Sequence, residues 1–141
     1  MRGLLQTALV ASMLVFSSSG HTQEAAAAAQ SCTGDDLDAF WVMTFQRASK
    51  SEICIVVIGN KGKVQSVAPC FVEQSGVAPY DLAGKVKIDK TCHVTGTLVP
   101  SVGSKLTVLL RLVGGKLLMT GILIDDQNNY FPVTLTRFDK L

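Results

Sequence analysis

The chain has 141 residues, of which 48% are hydrophobic and only 17% charged, and its formal net charge is +2. Its basic side chains are scattered along the sequence and form no stripe of the kind that follows phosphates, so nucleic acid is not an expected partner. The length fits one domain of ordinary size that can bury a modest core, and a second domain is not needed.

Residues 1–29 have the layout of an export signal. A basic start is followed by an apolar stretch, and the alanine run Ala25 to Ala29 offers small-x-small cleavage choices. A cut near Gly20 is the alternative. We therefore predict that residues 30–141 form a single exported domain, either periplasmic or secreted.

The next element is the first predicted strand, near residues 38–47, which carries the sole tryptophan, Trp41. Because closure of a barrel would make the first and last strands neighbours, Arg137 is expected beside Trp41, where a cation–π contact is possible. Trp41 and Arg137 are the candidate binding residues. For Trp41 a structural role, filling one end of the barrel, is favoured over ligand binding.

Four cysteines follow the predicted signal: Cys32, Cys54, Cys70 and Cys92. An even number in a small exported domain indicates two disulfides and an oxidising compartment. Zinc is the competing interpretation, but no pair has C-x-x-C spacing and the only histidine beyond the signal is His93. We predict no metal and no cofactor.

Residues 105–124 are the most apolar stretch after the signal, and they allow two interpretations. A membrane helix needs about 20 apolar residues with few charges, whereas Arg111 and Lys116 lie near the middle of this segment. Alternation with a period of two up to Gly114-Gly115 is typical of a β-hairpin instead. After signal removal the chain is therefore not expected to span a membrane with a helix.

The same alternation extends over the whole exported part, with turn signals between the strands and no lasting helical period. Eight strands are predicted, near residues 38–47, 51–59, 63–72, 83–89, 92–99, 104–113, 116–124 and 129–138. Short strands joined by tight turns favour an all-β fold, a small up-and-down antiparallel β-barrel, with a β-sandwich as the alternative. Proline removes a ladder donor, so Pro69 and Pro132 are expected at bulges or strand edges.

The up-and-down order predicts the disulfide pairing. Cys32 and Cys92 would lie toward one end of the barrel, and Cys54 and Cys70 toward the other on neighbouring strands, which gives the pairs Cys32–Cys92 and Cys54–Cys70. A regular turn would place Cys54 opposite Ala68, two residues from Cys70. A bulge near Pro69 is therefore required to bring the two sulfur atoms into bonding range.

No set of side chains suited to nucleophilic or acid–base catalysis is visible, since His93 has no serine or cysteine partner in a suitable position. We expect a protein that is not an enzyme and has no catalytic residue. Its expected ligand is a protein partner or a small apolar molecule. The apolar residues suffice to fill a barrel, so a packed interior is expected. An outer-membrane barrel is a further alternative.

Two resemblances add to this interpretation. Trp41, then Cys54-Ile55-Val56-Val57, then Cys70 resembles the front half of small periplasmic metalloprotease inhibitors of bacteria, which are eight-stranded barrels. The resemblance implies inhibition by an N-terminal segment, from about residue 30 to 36, that enters the protease cleft and whose trimming would abolish the effect.

The stretch from Gly84 to Thr97, followed by the hairpins and Tyr130-Phe131-Pro132-Val133, is similar to small exported proteobacterial proteins of no assigned activity. That similarity implies a shared architecture more than a shared activity. The leading expectation is thus a non-enzymatic binding or interaction module, and the alternative is a periplasmic protease inhibitor.

Overall fold

The computed structural model describes residues 31–74 and 76–138, and the predicted export signal lies outside this part of the chain. Nine antiparallel strands form one sheet that closes on itself as a barrel. The strands are β1 (Ala39–Arg47), β2 (Lys50–Ile58), β3 (Lys63–Ser66), β4 (Phe71–Val72), β5 (Leu82–Ile88), β6 (His93–Pro100), β7 (Leu106–Val113), β8 (Leu118–Ile124) and β9 (Tyr130–Phe138).

The strands follow the order β1-β9-β8-β7-β6-β5-β3-β2, and pairing of β1 with β2 closes the ring. Closure removes the open sheet edges that would otherwise pair with other chains. The short strand β4 is additional and pairs with β2 beyond the end of β3. The prediction of an eight-stranded antiparallel barrel is confirmed, with one strand split in two.

The predicted hairpin at residues 105–124 is formed by β7 and β8, with Val113 opposite Leu118. Leu106, Val108, Leu110 and Leu112 are buried and the residues between them are mostly exposed, because successive side chains of a strand point to opposite faces. The turn holds Gly114 and Gly115 at φ values of 59° and 67°, a region that glycine enters without steric penalty. Within the described residues, no helix is long and apolar enough to cross a membrane.

A bulge interrupts the strand that was predicted at residues 63–72. Val56 of β2 lies opposite Ser66, but Ile53 lies opposite Phe71, so three steps along β2 match five steps on the bulged strand. The opposite neighbour shows the same shift, because Gln65 faces Ala83 while Cys70 faces Tyr80. The two extra residues fall at Val67 to Cys70, which includes Pro69, as predicted.

Both predicted disulfides are present. Cys54 and Cys70 are joined across the bulge with their Cα atoms 4.3 Å apart, and Cys32 and Cys92 with theirs 5.1 Å apart. The two-residue shift is what places Cys70 opposite Cys54 in the β2–β4 register. The bridge therefore fixes the offset of β4 against β2.

Inward-facing side chains fill the barrel. A void of about 20 Å³ lies between the described strands, and only apolar side chains line it, among them Met43, Val56, Val108 and Leu123. A water molecule would fit but would find no polar partner there, and small-molecule sites measure about 300–1,000 Å³. The packed interior is confirmed by the buried apolar side chains, and this void has no room for a ligand.

Candidate functional site

A buried plug closes the end of the barrel at which β1 begins, called here the Trp41 end. Trp41 is fully buried and its indole Nε1–H donates to the Leu37 carbonyl oxygen at 3.0 Å. Leu37 is itself 1% exposed and follows a single 3-10 turn at Gly34–Asp36. The buried indole N–H thus has the partner that burial requires.

Polar contacts hold the N-terminal segment on this plug. Asp36 forms a 2.8 Å ion pair with Lys116 and accepts the Thr33 backbone N–H at 2.7 Å. Partial burial raises the pKa of Asp36, but these hydrogen bonds outweigh burial and bring the pKa below its ordinary value. With the Cys32–Cys92 bridge, residues 32–37 are fixed to the barrel.

Arg137 lies directly opposite Trp41 in the β1–β9 register, as predicted from barrel closure. Its Nη1 donates to the Asp36 carbonyl oxygen at 3.4 Å, so the guanidinium holds the N-terminal segment in place. The cation–π contact that the described residues do show is at the opposite end, between Arg47 and Phe131 at 5.9 Å. Both candidate binding residues thus belong to the plug.

The opposite end, called here the Arg47 end, is closed by a buried polar cluster that the sequence analysis did not identify. Glu52 is 3% exposed, and its two carboxylate oxygens accept from Arg47 Nε at 2.9 Å and Arg47 Nη2 at 3.2 Å. The buried Tyr80 hydroxyl donates to the same carboxylate. A bidentate arginine together with a phenol satisfies a carboxylate that could not remain buried alone.

The contacts within this cluster shift the pKa values of Arg47 and Tyr80. Burial alone would lower the pKa of Arg47, but the hydrogen bonds to Glu52 raise it above its ordinary value. Burial and the hydrogen bond to Glu52 raise the pKa of Tyr80. Glu52 accepts hydrogen bonds from both Arg47 and Tyr80. The cluster therefore closes the barrel end, and its acidic and basic groups are already paired with each other.

His93 lies at the exposed rim, at the start of β6 and directly after the turn that joins β5 to β6. Its Nδ1 lies 2.8 Å from the Thr91 hydroxyl oxygen, and that hydroxyl donates to Asp89 at 2.7 Å. The same carboxylate accepts the backbone N–H groups of Thr91 and His93, and these hydrogen bonds lower the pKa of Asp89. The contacts define a tight turn.

Within the described residues, no cluster of three or more acidic, histidine or cysteine side chains is arranged to hold a metal.

An apolar surface over the bulge is the candidate site, and it is called here the apolar face: Ile53, Ile55, Val67, Phe71 and Val77. Ile53 and Phe71 are opposite partners on β2 and β4, and Val67 N–H donates to the Ile55 carbonyl oxygen at 2.8 Å. Phe71 is 60% exposed and Ile53 43%. Neighbouring exposed apolar side chains of this kind mark interaction sites more often than isolated ones do.

A groove of about 480 Å³ lies at the edge of the apolar face, between β4 and the chain at Val77 and Pro79. β4 pairs with β2 on one side. On its other side, within the described residues, pairing ends at the Cys70–Tyr80 bridge. A backbone edge and exposed apolar side chains therefore adjoin one groove.

Sequence reasoning missed this face because it did not assign which side chains of the bulged strand at residues 63–72 point outward. One signal was available: residues 53–58 are a continuous apolar run, whereas a strand of a water-facing barrel usually alternates apolar and polar residues. Alternation puts Ile53 and Ile55 outside, and the structure confirms that they are exposed.

The fold and the two bridges define a closed, disulfide-linked antiparallel barrel whose interior is filled. No family model, curated protein or solved structure matches this chain. The implied kinship with metalloprotease inhibitors stays a prediction. The structure limits its mechanism, since residues 32–37, which overlap the segment expected to insert, are bound to the barrel.

Proposed function

We propose that the protein is an exported, non-enzymatic binding module that docks an extended segment of a partner protein on the apolar face. The observation that carries the proposal is the exposure of Phe71 beside Ile53, next to a groove that β4 borders. The packed interior supports it, because a ligand would have to bind outside the barrel.

The mode of binding that this geometry supports is addition of a strand. A partner peptide that pairs with the outer edge of β4 would gain backbone hydrogen bonds, and its alternate side chains would contact Phe71 and Val77. The Cys54–Cys70 bridge and the bulge hold β4 in place before binding. Preorganisation of this kind lowers the entropy lost on association.

A library of displayed peptides, selected on the exported chain, tests the proposal. Selected peptides are expected to carry alternating apolar residues. Phe71→Ser or Ile53→Ser is expected to weaken their binding about tenfold or more, because central apolar contacts dominate such interfaces. Fluorescence anisotropy with the labelled peptides measures the affinity.

Leu109→Ser is the matched control. Leu109 is 42% exposed, against 43% for Ile53, and it lies on β7, four strands from β2 in either direction around the ring. This variant is expected to bind the peptides within about twofold of the unchanged chain, since it lies outside the interface. Peptides that bind equally well to the Phe71→Ser chain would show that the apolar face is not the docking site.

A further inference from the structure

Four lysines that lie far apart in pairs along the sequence meet on one surface, called here the lysine face: Lys61, Lys63, Lys85 and Lys87. Lys63 of β3 lies directly opposite Lys85 of β5, and Lys87 follows two residues later on the same side of β5. Lys61 lies in the turn before β3, where Gly62 packs against the Val86 backbone. All four side chains are exposed.

This arrangement opposes folding. Like charges directly opposite each other on neighbouring strands destabilise a sheet, and Lys63 and Lys85 are such a pair. Lys61 has φ 65°, in the left-handed region that glycine and asparagine occupy more readily. The barrel would form more easily with neutral residues at these positions, so their charge calls for an explanation outside the fold.

No acidic side chain forms an ion pair with the lysine face in the described part of the chain; the 3-10 turn with Asp35 contacts the turn with Lys61, and Asp81 lines a groove together with Lys63. In the part of the chain that the structure describes, the ion pairs are Arg47 with Glu52, His93 with Asp89, and Lys116 with Asp36. Outward from β5, the next side chains on β6 are Thr97, opposite Lys85, and Thr95, opposite Lys87. Cross-strand and same-strand neighbours are about 5 to 7 Å apart, within the Debye length of about 8 Å, so their potentials add.

We propose that the lysine face docks the protein on an anionic lipid surface. The outward side chains of β3, β5 and β6 include no phenylalanine, tyrosine or tryptophan on which bases could stack, which disfavours single-stranded nucleic acid. A sheet of lipid phosphates needs no shape complementarity, and lysines on a convex barrel surface meet that requirement. Lysine is a flexible point charge, suited to such a diffuse partner.

This inference does not depend on the proposed function. The lysine face lies at the Lys63 end of the bulged strand and the apolar face at its Phe71 end. A barrel that rests on lipid through β3 and β5 would leave the groove beside β4 accessible. Variants of the two faces are therefore expected to have separate effects.

Vesicle co-sedimentation of the exported chain tests the inference. The chain is expected to bind vesicles that contain phosphatidylglycerol, to bind pure phosphatidylcholine vesicles far less, and to be released by raised salt. The double variant Lys63→Gln, Lys85→Gln is expected to lose about 30-fold in partitioning, which corresponds to about 2 kcal/mol for two lysines.

The matched control, Lys50→Gln with Lys105→Gln, removes two charges at the Arg47 end, where β2 and β7 begin. It should change partitioning by about threefold or less if position matters more than net charge. An equal loss in both double variants would overturn the inference, and so would equal binding to both kinds of vesicle. Polyglutamate that binds the same lysines more tightly than the vesicles do would overturn it in favour of an acidic protein partner.

Discussion

The apolar face and the lysine face lie at the two ends of one bulged strand and differ in almost every property. Ile53 and Phe71 are uncharged and lie across the bulge beside one groove, whereas Lys63 and Lys85 repel each other on a regular ladder beside another groove, which Asp81 also lines. Buried apolar side chains fill the interior of the barrel. The barrel therefore requires apolar side chains at most inward positions, whereas its outward positions can carry different residue types on different faces.

A large expected effect comes from the polar cluster that lies beneath the apolar face. Glu52 is the register partner of Val72 on β4, and Glu52→Ala would leave Arg47 and Tyr80 without their shared acceptor. Breaking a buried ion pair from one side costs about 3–5 kcal/mol, and partial exposure of Arg47 favours the lower end of that range. Urea unfolding measures the loss.

Glu52→Gln is the control, because an amide keeps the shape and one acceptor oxygen. It is expected to lose less stability than Glu52→Ala. A loss below about 1 kcal/mol for Glu52→Ala would show that the cluster contributes little to closing this end, since changes of that size are common at ordinary positions.

A second prediction separates the two disulfides by function. Cys54→Ala with Cys70→Ala is expected to lower the free energy of unfolding by about 3 kcal/mol on chain-entropy grounds, given the separation of 16 residues. Because this bridge fixes the offset of β4, peptide affinity at the apolar face should also fall. Vesicle binding through the lysine face should not change at temperatures where the chain is folded.

Cys32→Ala with Cys92→Ala is the companion variant. Its bridge spans 60 residues, so the same model gives a loss of about 4 kcal/mol. Peptide affinity is expected to persist, since this bridge fixes the N-terminal segment at the opposite end. A loss of affinity in both variants would mean that binding follows overall stability and not the geometry of β4.

Patterns that repeat along the chain were predictable from the sequence. Period-two alternation in β7 and β8 and the glycine pair between them gave the hairpin, and strand order with the Pro69 bulge gave both disulfides. The Glu52 cluster was not predictable, because it joins β1, β2 and Tyr80, two residues before β5, through side-chain geometry that no local pattern encodes.

The lysine face illustrates the same limit. Lys63 and Lys85 are separated by the bulge and the long loop after β4, so the sequence shows isolated charges. Only the shifted register of the bulged strand decides which residue of β5 faces Lys63. An interaction surface formed by two strands that lie apart in the sequence is visible only once their pairing is known.

The smallest expected effect has an informative sign. Lys63→Thr is expected to raise the free energy of unfolding by about 0.2–1 kcal/mol, because it relieves the repulsion from Lys85 and threonine suits a strand. Lys85→Thr should do the same, and the double variant should gain less than the sum of the two, since one substitution already removes the repulsion. High salt should abolish the gain by screening. Loss of stability in both single variants would mean that the lysines support the barrel, and the argument that their charge serves an external partner would no longer hold.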